Sequence, residues 1–338
     1  MYAFLWKLID RYALHRLHQE RSLVSQFSLP SLIPEESSRA DFYGQLSEKI
    51  EMTLDVSAPN RNGYRIGTYR CRCAVTTNDY PCNDVSVGEV HLAPGTGAPH
   101  VVIVHGWRMD GLDRIKALFL KKLVEQEWNI HLVTLPYHFL RKPSESRYSG
   151  EYMVSSHISR TIQSTRQAVC DLRTHIQWIK KEYSGSPVYV VGVSLGGFIT
   201  NLAATVEPRI DALASVFYAN RLSYAVWRTV PGKFIRAELE RNGVTYEKLQ
   251  QYWKITEPSA AMPGMSMDNI LLLSAKYDQY VHLTDADYLW EAWGRPRRSV
   301  YRCGHAGLVL NKERIAKDVM EFLTVRAQTC TVIGRIHN

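Results

Sequence analysis

The stretch that decides the fold is Val188-Tyr-Val-Val-Gly-Val-Ser-Leu-Gly-Gly197, where an apolar run stops at a serine held between glycines. A helical pattern of apolar residues, 198–206, follows directly. A chain that turns this sharply from strand to helix leaves the serine at the tip with its hydroxyl exposed, as in a nucleophile elbow. A side chain at Gly192 or Gly196 would collide where strand and helix converge, so small residues are needed there. The alternative is a glycine-rich turn with an inert serine.

The composition is that of an ordinary globular protein, with 338 residues, 45% of them hydrophobic, and a formal net charge of +8. Basic and acidic residues are interleaved and no recognised motif accompanies the charge, so nucleic-acid binding is not expected. Cys71 and Cys73, with Cys82 nearby, could suggest a metal site. Two cysteines at this spacing share one face of a strand, however, so buried thiols are favoured. We therefore expect no metal and no other cofactor, and a reducing, cytoplasmic compartment.

The N-terminus lacks the features of a signal peptide, and no apolar stretch is long enough to span a membrane. One face of an N-terminal helix would be apolar, consisting of Phe4, Leu5, Leu8, Ile9 and Tyr12. Packing of this face against the body of the protein is favoured over contact with a membrane surface.

Apolar strands and amphipathic helices alternate through most of the chain. The central strands are expected at 100–104, 129–135, 188–193, 213–218, 270–274 and 298–303. Strands that are apolar throughout and separated by helices predict an α/β fold, with a parallel sheet covered on both faces. Ahead of it, 65–75 and 87–92 predict an antiparallel pair. Sites in such sheets lie at the carboxyl ends of the strands.

The same pattern divides the chain into four segments. Residues 1–60 are expected to form an N-terminal helical extension, and residues 61–219 the first part of the α/β core. Residues 220–267 break the alternation and predict two short helices that form a cap over the site. Residues 268–338 then complete the core.

Two further groups follow predicted strands and suit a nucleophilic serine. A serine hydroxyl needs a base to take its proton, and that base needs an acid to orient it. Asp278 follows the strand that ends near Ser274, and His305 follows the last strand. The order Ser194, Asp278, His305 is the chain order of α/β-type hydrolase sites.

Rival acids and bases lie close by in the sequence. Asp285 and Asp287 follow Thr284 in a pattern typical of a helix N-terminus, where acids cap the helix and balance its dipole. His282 adjoins them and does not lie at a strand end. We therefore expect all three to be structural.

His105-Gly106-Trp107 ends the first central strand. Gly106 would let the backbone approach a substrate, and the N–H groups of Trp107 and Leu195 could hold a developing oxyanion. His105 is expected to brace this loop and not to act as a second base.

These residues resemble the α/β-hydrolase superfamily, in its serine esterase, lipase and acyl-peptidase branch. The resemblance covers about residues 65–325 and rests on His105-Gly106, the elbow around Ser194, Asp278 and His305. It implies a mostly parallel, eight-stranded sheet with helices on both faces and acyl transfer through an acyl-serine. The loop after Gly106 departs from the His-Gly-Gly-Gly form of many esterases, because Trp107 and Arg108 stand where that form has glycines.

The sequence thus predicts a serine hydrolase that acts on a small-molecule ester. The alternatives are a peptidase or thioesterase with the same three residues, or a silent binding module of the same fold. The oligomeric state stays open.

Overall fold

The computed structural model describes residues 2–19, 26–30, 39–44, 46, 49–76 and 80–336, with side chains for all of them except Tyr2 and residues 329–336. The strands are β1 (Met52–Val56), β2 (Arg65–Arg72), β3 (Val85–Leu92), β4 (His100–Val104), β5 (Asn129–Val133), β6 (Val188–Val193), β7 (Ala212–Val216), β8 (Ile270–Ala275) and β9 (Arg297–Tyr301). The helices are α1 (Tyr2–Gln19), α2 (Arg39–Gly44), α3 (Asp113–Glu125), α4 (Ile158–Glu182), α5 (Leu195–Ala204), α6 (Leu222–Arg228), α7 (Lys233–Arg241), α8 (Tyr246–Trp253), α9 (Leu283–Ala292), α10 (Gly307–Leu310) and α11 (Lys312–Ile336).

All nine strands form one sheet, in the order β1-β2-β3-β5-β4-β6-β7-β8-β9. The six strands from β5 to β9 in this order are parallel, and β1, β2 and β3 pair antiparallel at one edge. The predicted parallel sheet and the antiparallel pair ahead of it are therefore confirmed. The carboxyl ends of the parallel strands meet at one edge, where the expected site residues lie.

The strand count of eight was wrong, because β1 adds a ninth strand inside the segment expected to be helical. Along β1 alternate residues, Met52, Leu54 and Val56, are half-buried, whereas Thr53 and Asp55 are exposed. This alternation is typical of an edge strand with one covered face, and pairing with β2 places Met52 opposite Cys71.

The parallel strands β4 to β8 are buried on both faces, whereas the edge strand β9 is mostly exposed or half-buried. On one face Val102, Val104 and Val190 pack with α4 and α5 in one core cluster. On the other, Val101 and Ile103 pack with α3 and α11 in a second cluster. The prediction of helices on both faces is confirmed, since the period of two in a strand sends successive side chains to opposite layers.

Helix α1 packs against the protein with the side opposite to its predicted apolar face. Asp10 and Leu14 are buried, whereas Phe4 and Tyr12 are 67% and 68% exposed. The expectation that the apolar face lies against the body was therefore wrong, and the reason is the set of backbone donors that Asp10 satisfies, described below.

The segment 220–267 holds three α-helices, α6, α7 and α8, where two were expected, and short 3₁₀ turns follow them at Lys254–Thr256 and Pro258–Ala260. Cys71 and Cys73 are buried free thiols, as predicted. The side chain of Cys330 lies outside the described residues. Across the described ranges, no helix has both the length and the apolar character needed to cross a bilayer.

Candidate active site

Ser194 lies at the junction of β6 and α5 in a strained backbone conformation, with φ 56° and ψ −114°. Conformations of this kind cost about 1–3 kcal/mol and persist only where the surroundings impose them. A Cβ at Gly192 would lie 2.2 Å from Oγ1 of Thr200, and one at Gly196 only 2.1 Å from the carbonyl oxygen of Val104. The predicted steric reason for both glycines is confirmed. The turn presents the Ser194 hydroxyl at the carboxyl edge of the sheet.

His305 bridges the serine and an acid. Its Nε2 lies 3.1 Å from Oγ of Ser194, and its Nδ1 lies 2.7 Å from Oδ2 of Asp278. The other carboxylate oxygen of Asp278 accepts hydrogen bonds from the N–H groups of Tyr280, at 2.8 Å, and Val281, at 2.9 Å. The structure thus brings together three side chains that lie far apart in the sequence.

The surroundings of His305 favour one tautomer. With the Nδ1 proton donated to the carboxylate of Asp278, Nε2 is left to accept the proton of the Ser194 hydroxyl. Burial disfavours the imidazolium, but the charge and the hydrogen bond of Asp278, aided by the charge of Asp10, outweigh it and raise the pKa of His305. The ring of Tyr280 stacks on the imidazole, with centroids 4.6 Å apart.

The loop after β4 is braced by His105, as predicted. Its Nε2 accepts the N–H of Leu135 at 3.1 Å, so its Nδ1 donates to the carbonyl of Gly106 at 2.8 Å. Burial lowers the pKa of His105 to about 4, which keeps this ring neutral. Because the C=O and N–H of a trans peptide point in opposite directions, the N–H of Trp107 is turned away from His105. The indole of Trp107 is fixed in turn by a 2.8 Å hydrogen bond to the carbonyl of Gly150.

The rival residues have structural partners. Asp285 is buried and accepts hydrogen bonds from the backbone of Asn220 and from the backbone and side chain of Arg221. Asp287 pairs with Arg298 at 2.6 Å, and His282 lies 3.2 Å from the hydroxyl of Tyr224. Asp285 lies in the first turn of α9, but its hydrogen bonds tie the start of the cap segment to α9 and do not cap the helix.

Ser194 and His305 open into a cavity of about 670 Å³. Gly106, Trp107 and Leu195 line it as well, so both expected oxyanion donors border the same space as the serine. Helix α1 and the cap segment supply further walls, which are largely apolar and include Ala13, Leu17, Leu222, Val226 and Ile235. Cavities of this size suit a small organic ligand. Within the described ranges, no three His, Cys, Asp or Glu side chains are grouped as metal ligands.

Sequence analysis missed three site neighbours, namely Asp10, Tyr280 and the cavity-lining part of α1. One local signal was present, since Gly304 directly precedes His305 and a Cβ there would lie 2.6 Å from the carboxylate of Asp10. A glycine next to a functional histidine indicates a close approach by another part of the chain.

Comparison with known proteins agrees with the fold. A profile of the α/β-hydrolase fold family matches residues 99–226. The fold is similar to that of an acetyl xylan esterase from a Paenibacillus species, with a TM-score of 0.63, 14% identity and coverage of 86% of this chain and 96% of that one. It is also similar to an acylaminoacyl peptidase of Pyrococcus horikoshii, with a TM-score of 0.52, 14% identity and coverage of 82% of this chain and 42% of that one. The chain therefore has the α/β-hydrolase fold.

Two relatives in sequence are uncharacterised proteins. The protein YdjC of Bacillus subtilis is 60% identical over 111 residues, which are 33% of this chain and 96% of YdjC. A Mycobacterium tuberculosis protein is 26% identical over 215 residues, which are 62% of this chain and half the length of that protein.

Proposed function

We propose that this protein is a serine hydrolase that cleaves carboxylic esters through an acyl-serine intermediate. The observation that carries the proposal is the hydrogen-bonded series from Ser194 through His305 to Asp278, with its serine end facing a large apolar cavity. The strained turn at Ser194 supports it, because such strain clusters at functional sites.

In the first half of the reaction, Nε2 of His305 takes the hydroxyl proton of Ser194 as Oγ attacks the carbonyl carbon of the ester. The N–H groups of Trp107 and Leu195 hold the oxyanion that forms. One such donor typically contributes about 3–4 kcal/mol of transition-state stabilisation. The imidazolium then gives its proton to the departing alcohol, which leaves an acyl-Ser194.

In the second half, His305 removes a proton from water, which attacks the acyl carbon, and the proton returns to Oγ of Ser194 as the acid leaves. Throughout the reaction, Asp278 stabilises the imidazolium and holds the imidazole in the required tautomer. Because the reaction needs neutral His305, whose pKa is raised by Asp278 and Asp10, activity should fall as the pH drops through this raised pKa.

The apolar walls of the cavity favour an apolar acyl or alcohol group in the substrate. Leu17 on α1 and Val226 and Ile235 on the cap helices line one shared space with Ser194. Burial of apolar substrate surface there would contribute roughly 25 cal/mol per Å² to binding. The cavity thus supports an ester with at least one hydrocarbon group.

The test combines an active-site label with a panel of substrates. Wild-type protein should react with a fluorophosphonate probe and hydrolyse p-nitrophenyl esters faster than acyl-CoA thioesters or aminoacyl amides. Ser194→Ala should remove labelling and lower kcat by roughly 10⁴–10⁶-fold, while Ser144→Ala, at an exposed serine, should behave as wild type. An unlabelled and inactive wild type would indicate the silent module, and faster cleavage of a thioester or an amide would indicate the thioesterase or the peptidase.

A further inference from the structure

Helix α1 places a buried acid against the two loops that carry the proposed base and its orienting acid. Asp10 is the only acid in α1, and its side chain is fully buried. Its Oδ2 accepts hydrogen bonds from the N–H groups of Gln279, at 3.0 Å, and His305, at 2.9 Å. Its Oδ1 accepts one from the N–H of Ala306, at 2.9 Å.

These three donors belong to both loops. Gln279 directly follows Asp278, and Ala306 directly follows His305. A single carboxylate therefore joins the loop after β8 to the loop after β9, next to the 2.7 Å contact between Asp278 and His305. The contact is close, because a Cβ at Gly304 would lie 2.6 Å from the carboxylate.

A buried carboxylate is expensive unless hydrogen bonds compensate for its lost hydration. Three backbone donors do this at Asp10, and hydrogen bonds to an ionised acceptor are stronger than neutral ones. Burial raises the pKa of Asp10, whereas the N–H groups of Ala306, His305 and Gln279 oppose that rise.

We propose that Asp10 is a positioning residue that fixes the loops of His305 and Asp278 relative to each other, so that Nε2 of His305 faces the hydroxyl of Ser194. The proposal rests on the proposed hydrolase function. It goes beyond it, because it makes the N-terminal helix part of the site and gives one of its residues a defined task.

The positioning role of Asp10 can be tested through the pKa of His305, because the charges near the imidazole affect that pKa. The titratable and charged groups around the imidazole are Asp278, Asp10, Tyr280, Ser194 and Cys303, with Arg108 and Arg114 acting on Tyr280. Asp10→Asn keeps the size of the side chain but removes its negative charge and one acceptor oxygen. Proton binding to His305 should therefore weaken.

The test measures the rate constant of fluorophosphonate inactivation against pH, and follows the titration of His305 by NMR. Asp10→Asn should lower the limiting rate constant roughly 10²-fold, the size of effect that a small misplacement of a reacting group produces. It should also move the acid limb to lower pH. Gly304→Ala, which crowds the carboxylate from the other side, should likewise lower the rate constant.

Leu14→Ala is the matched control, because Leu14 is buried on the same helix. It should lower the melting temperature and leave the acid limb unchanged. If Asp10→Asn destabilises the fold but keeps the wild-type rate constant, acid limb and His305 titration, Asp10 is merely structural and the proposal fails. If wild type does not react at all, the hydrolase function fails instead, and the NMR titration still decides whether Asp10 acts on His305.

The opposite side of α1 carries a second and independent inference. Phe4, Leu5, Leu8 and Tyr12 are 67%, 52%, 44% and 68% exposed. Lys7, Arg11 and Arg16 are exposed on the same helix, whose only acid is buried. We name this surface the outer face of α1.

The short helix α10 lies next to α1. A Cβ at Gly307 would lie 3.2 Å from the indole of Trp6, which places α10 against α1. On α10, Val309 and Leu310 are 62% and 71% exposed, and Val309 also lines the cavity of Ser194. Exposed apolar residues therefore lie beside the cavity.

We infer that the outer face of α1 docks on an anionic lipid surface. A helix with exposed apolar residues and exposed charges of only one sign, here positive, has the composition of an interfacial helix. Anionic headgroups would attract the basic residues, while the acyl region would take up Phe4, Leu5, Leu8 and Tyr12.

The test is co-sedimentation with vesicles of phosphatidylglycerol and phosphatidylcholine, and with phosphatidylcholine alone. Wild type should bind the anionic vesicles more tightly, and less tightly at high salt because salt screens the charges. Leu8→Glu and Phe4→Glu should each weaken binding about tenfold or more, since each removes a large apolar side chain from the interface. Met262→Glu, at a 55% exposed residue outside α1, is the matched control and should bind as wild type.

Equal binding to both vesicle types, or none, would overturn the inference. So would a dimer in lipid-free solution that Leu8→Glu dissociates, because the outer face would then belong to a second copy of the chain.

Discussion

Three buried histidines form a hydrogen-bonded relay that should make the fold sensitive to acid. Nδ1 of His100 on β4 lies 2.9 Å from Nε2 of His131 on β5, and Nδ1 of His131 lies 3.0 Å from Nε2 of His175 on α4. Asn129 determines which nitrogen of each imidazole carries the proton. Its Oδ1 accepts the N–H of Ala93 and its amide nitrogen lies 3.2 Å from Nε2 of His100, so each imidazole carries its proton on Nδ1. A second proton on any ring would place two N–H groups face to face.

The size of the effect follows from the pKa values. Burial lowers the pKa of His100 and of His175 to about 3, against about 6.5 in an unfolded chain. Below pH 6.5 the unfolded state therefore binds more protons than the folded state. Stability from this source is complete above pH 6.5 and is lost as the pH falls from there towards 3. Well below pH 6.5, each histidine lowers the free energy of unfolding by about 1.4 kcal/mol for every pH unit. Because the total free energy of unfolding of a protein is only about 5–15 kcal/mol, two such losses should unfold the protein within a few pH units.

The assay is denaturant unfolding at a series of pH values between 7 and 5. His175→Gln keeps an acceptor oxygen for the Nδ1 proton of His131 but cannot titrate. Its stability should therefore fall less steeply with acid, by about 1 kcal/mol per pH unit on average over this range. His15→Gln removes an exposed histidine and should keep the wild-type slope. Equal slopes for wild type and His175→Gln would refute the reasoning.

Three further predictions concern the elbow, the core and the cavity. Gly192→Ala should prevent formation of a fluorophosphonate-reactive site, because its Cβ would lie 2.2 Å from Oγ1 of Thr200; normal labelling would show that the turn can relax. Asp171→Asn unpairs the buried Arg141, whose guanidinium lies 2.9 Å from the carboxylate, and should cost about 3–5 kcal/mol in denaturant unfolding; a loss within experimental error would contradict this. Ala13→Phe should fill part of the cavity and lower kcat/KM for long-chain p-nitrophenyl esters about tenfold more than for the acetyl ester; an equal loss for both would show that α1 does not border the acyl site.

The parallel core could be predicted closely because its inner strands, β4 to β8, are buried on both faces. The expected strands at 100–104 and 188–193 match β4 and β6 residue for residue. A fully apolar run bounded by turn residues has few alternatives once helices flank it on both sides. By contrast, β1 has only one half-buried face. An alternation of apolar and polar residues over five positions was too short to identify a strand within a segment that was expected to be helical.

The positions of the candidate site residues could also be read from the sequence, since Ser194, Asp278 and His305 each follow a strand that ends at the same edge. Their mutual distances could not, because these depend on how the loops fold back over the sheet. The hydrogen bonds of Asp10 were even harder to predict from the sequence. They join residues up to 296 positions apart, and the one trace they leave in the sequence is a glycine beside the histidine.

The orientation of α1 shows why periodicity alone could not place this helix. Hydrophobic periodicity identifies two unlike faces but does not say which of them meets the protein. Here the loops after β8 and β9 present three N–H donors to α1, and buried donors without partners are more costly to the fold than apolar side chains left in water. Asp10 can satisfy all three at once, so the side of the helix that carries it is buried, with Leu14 beside it. As a consequence, the apolar face of α1 points outwards, with Phe4, Leu5, Leu8 and Tyr12 in solvent. The exposure of this face thus follows from the hydrogen bonds that the loops near His305 require.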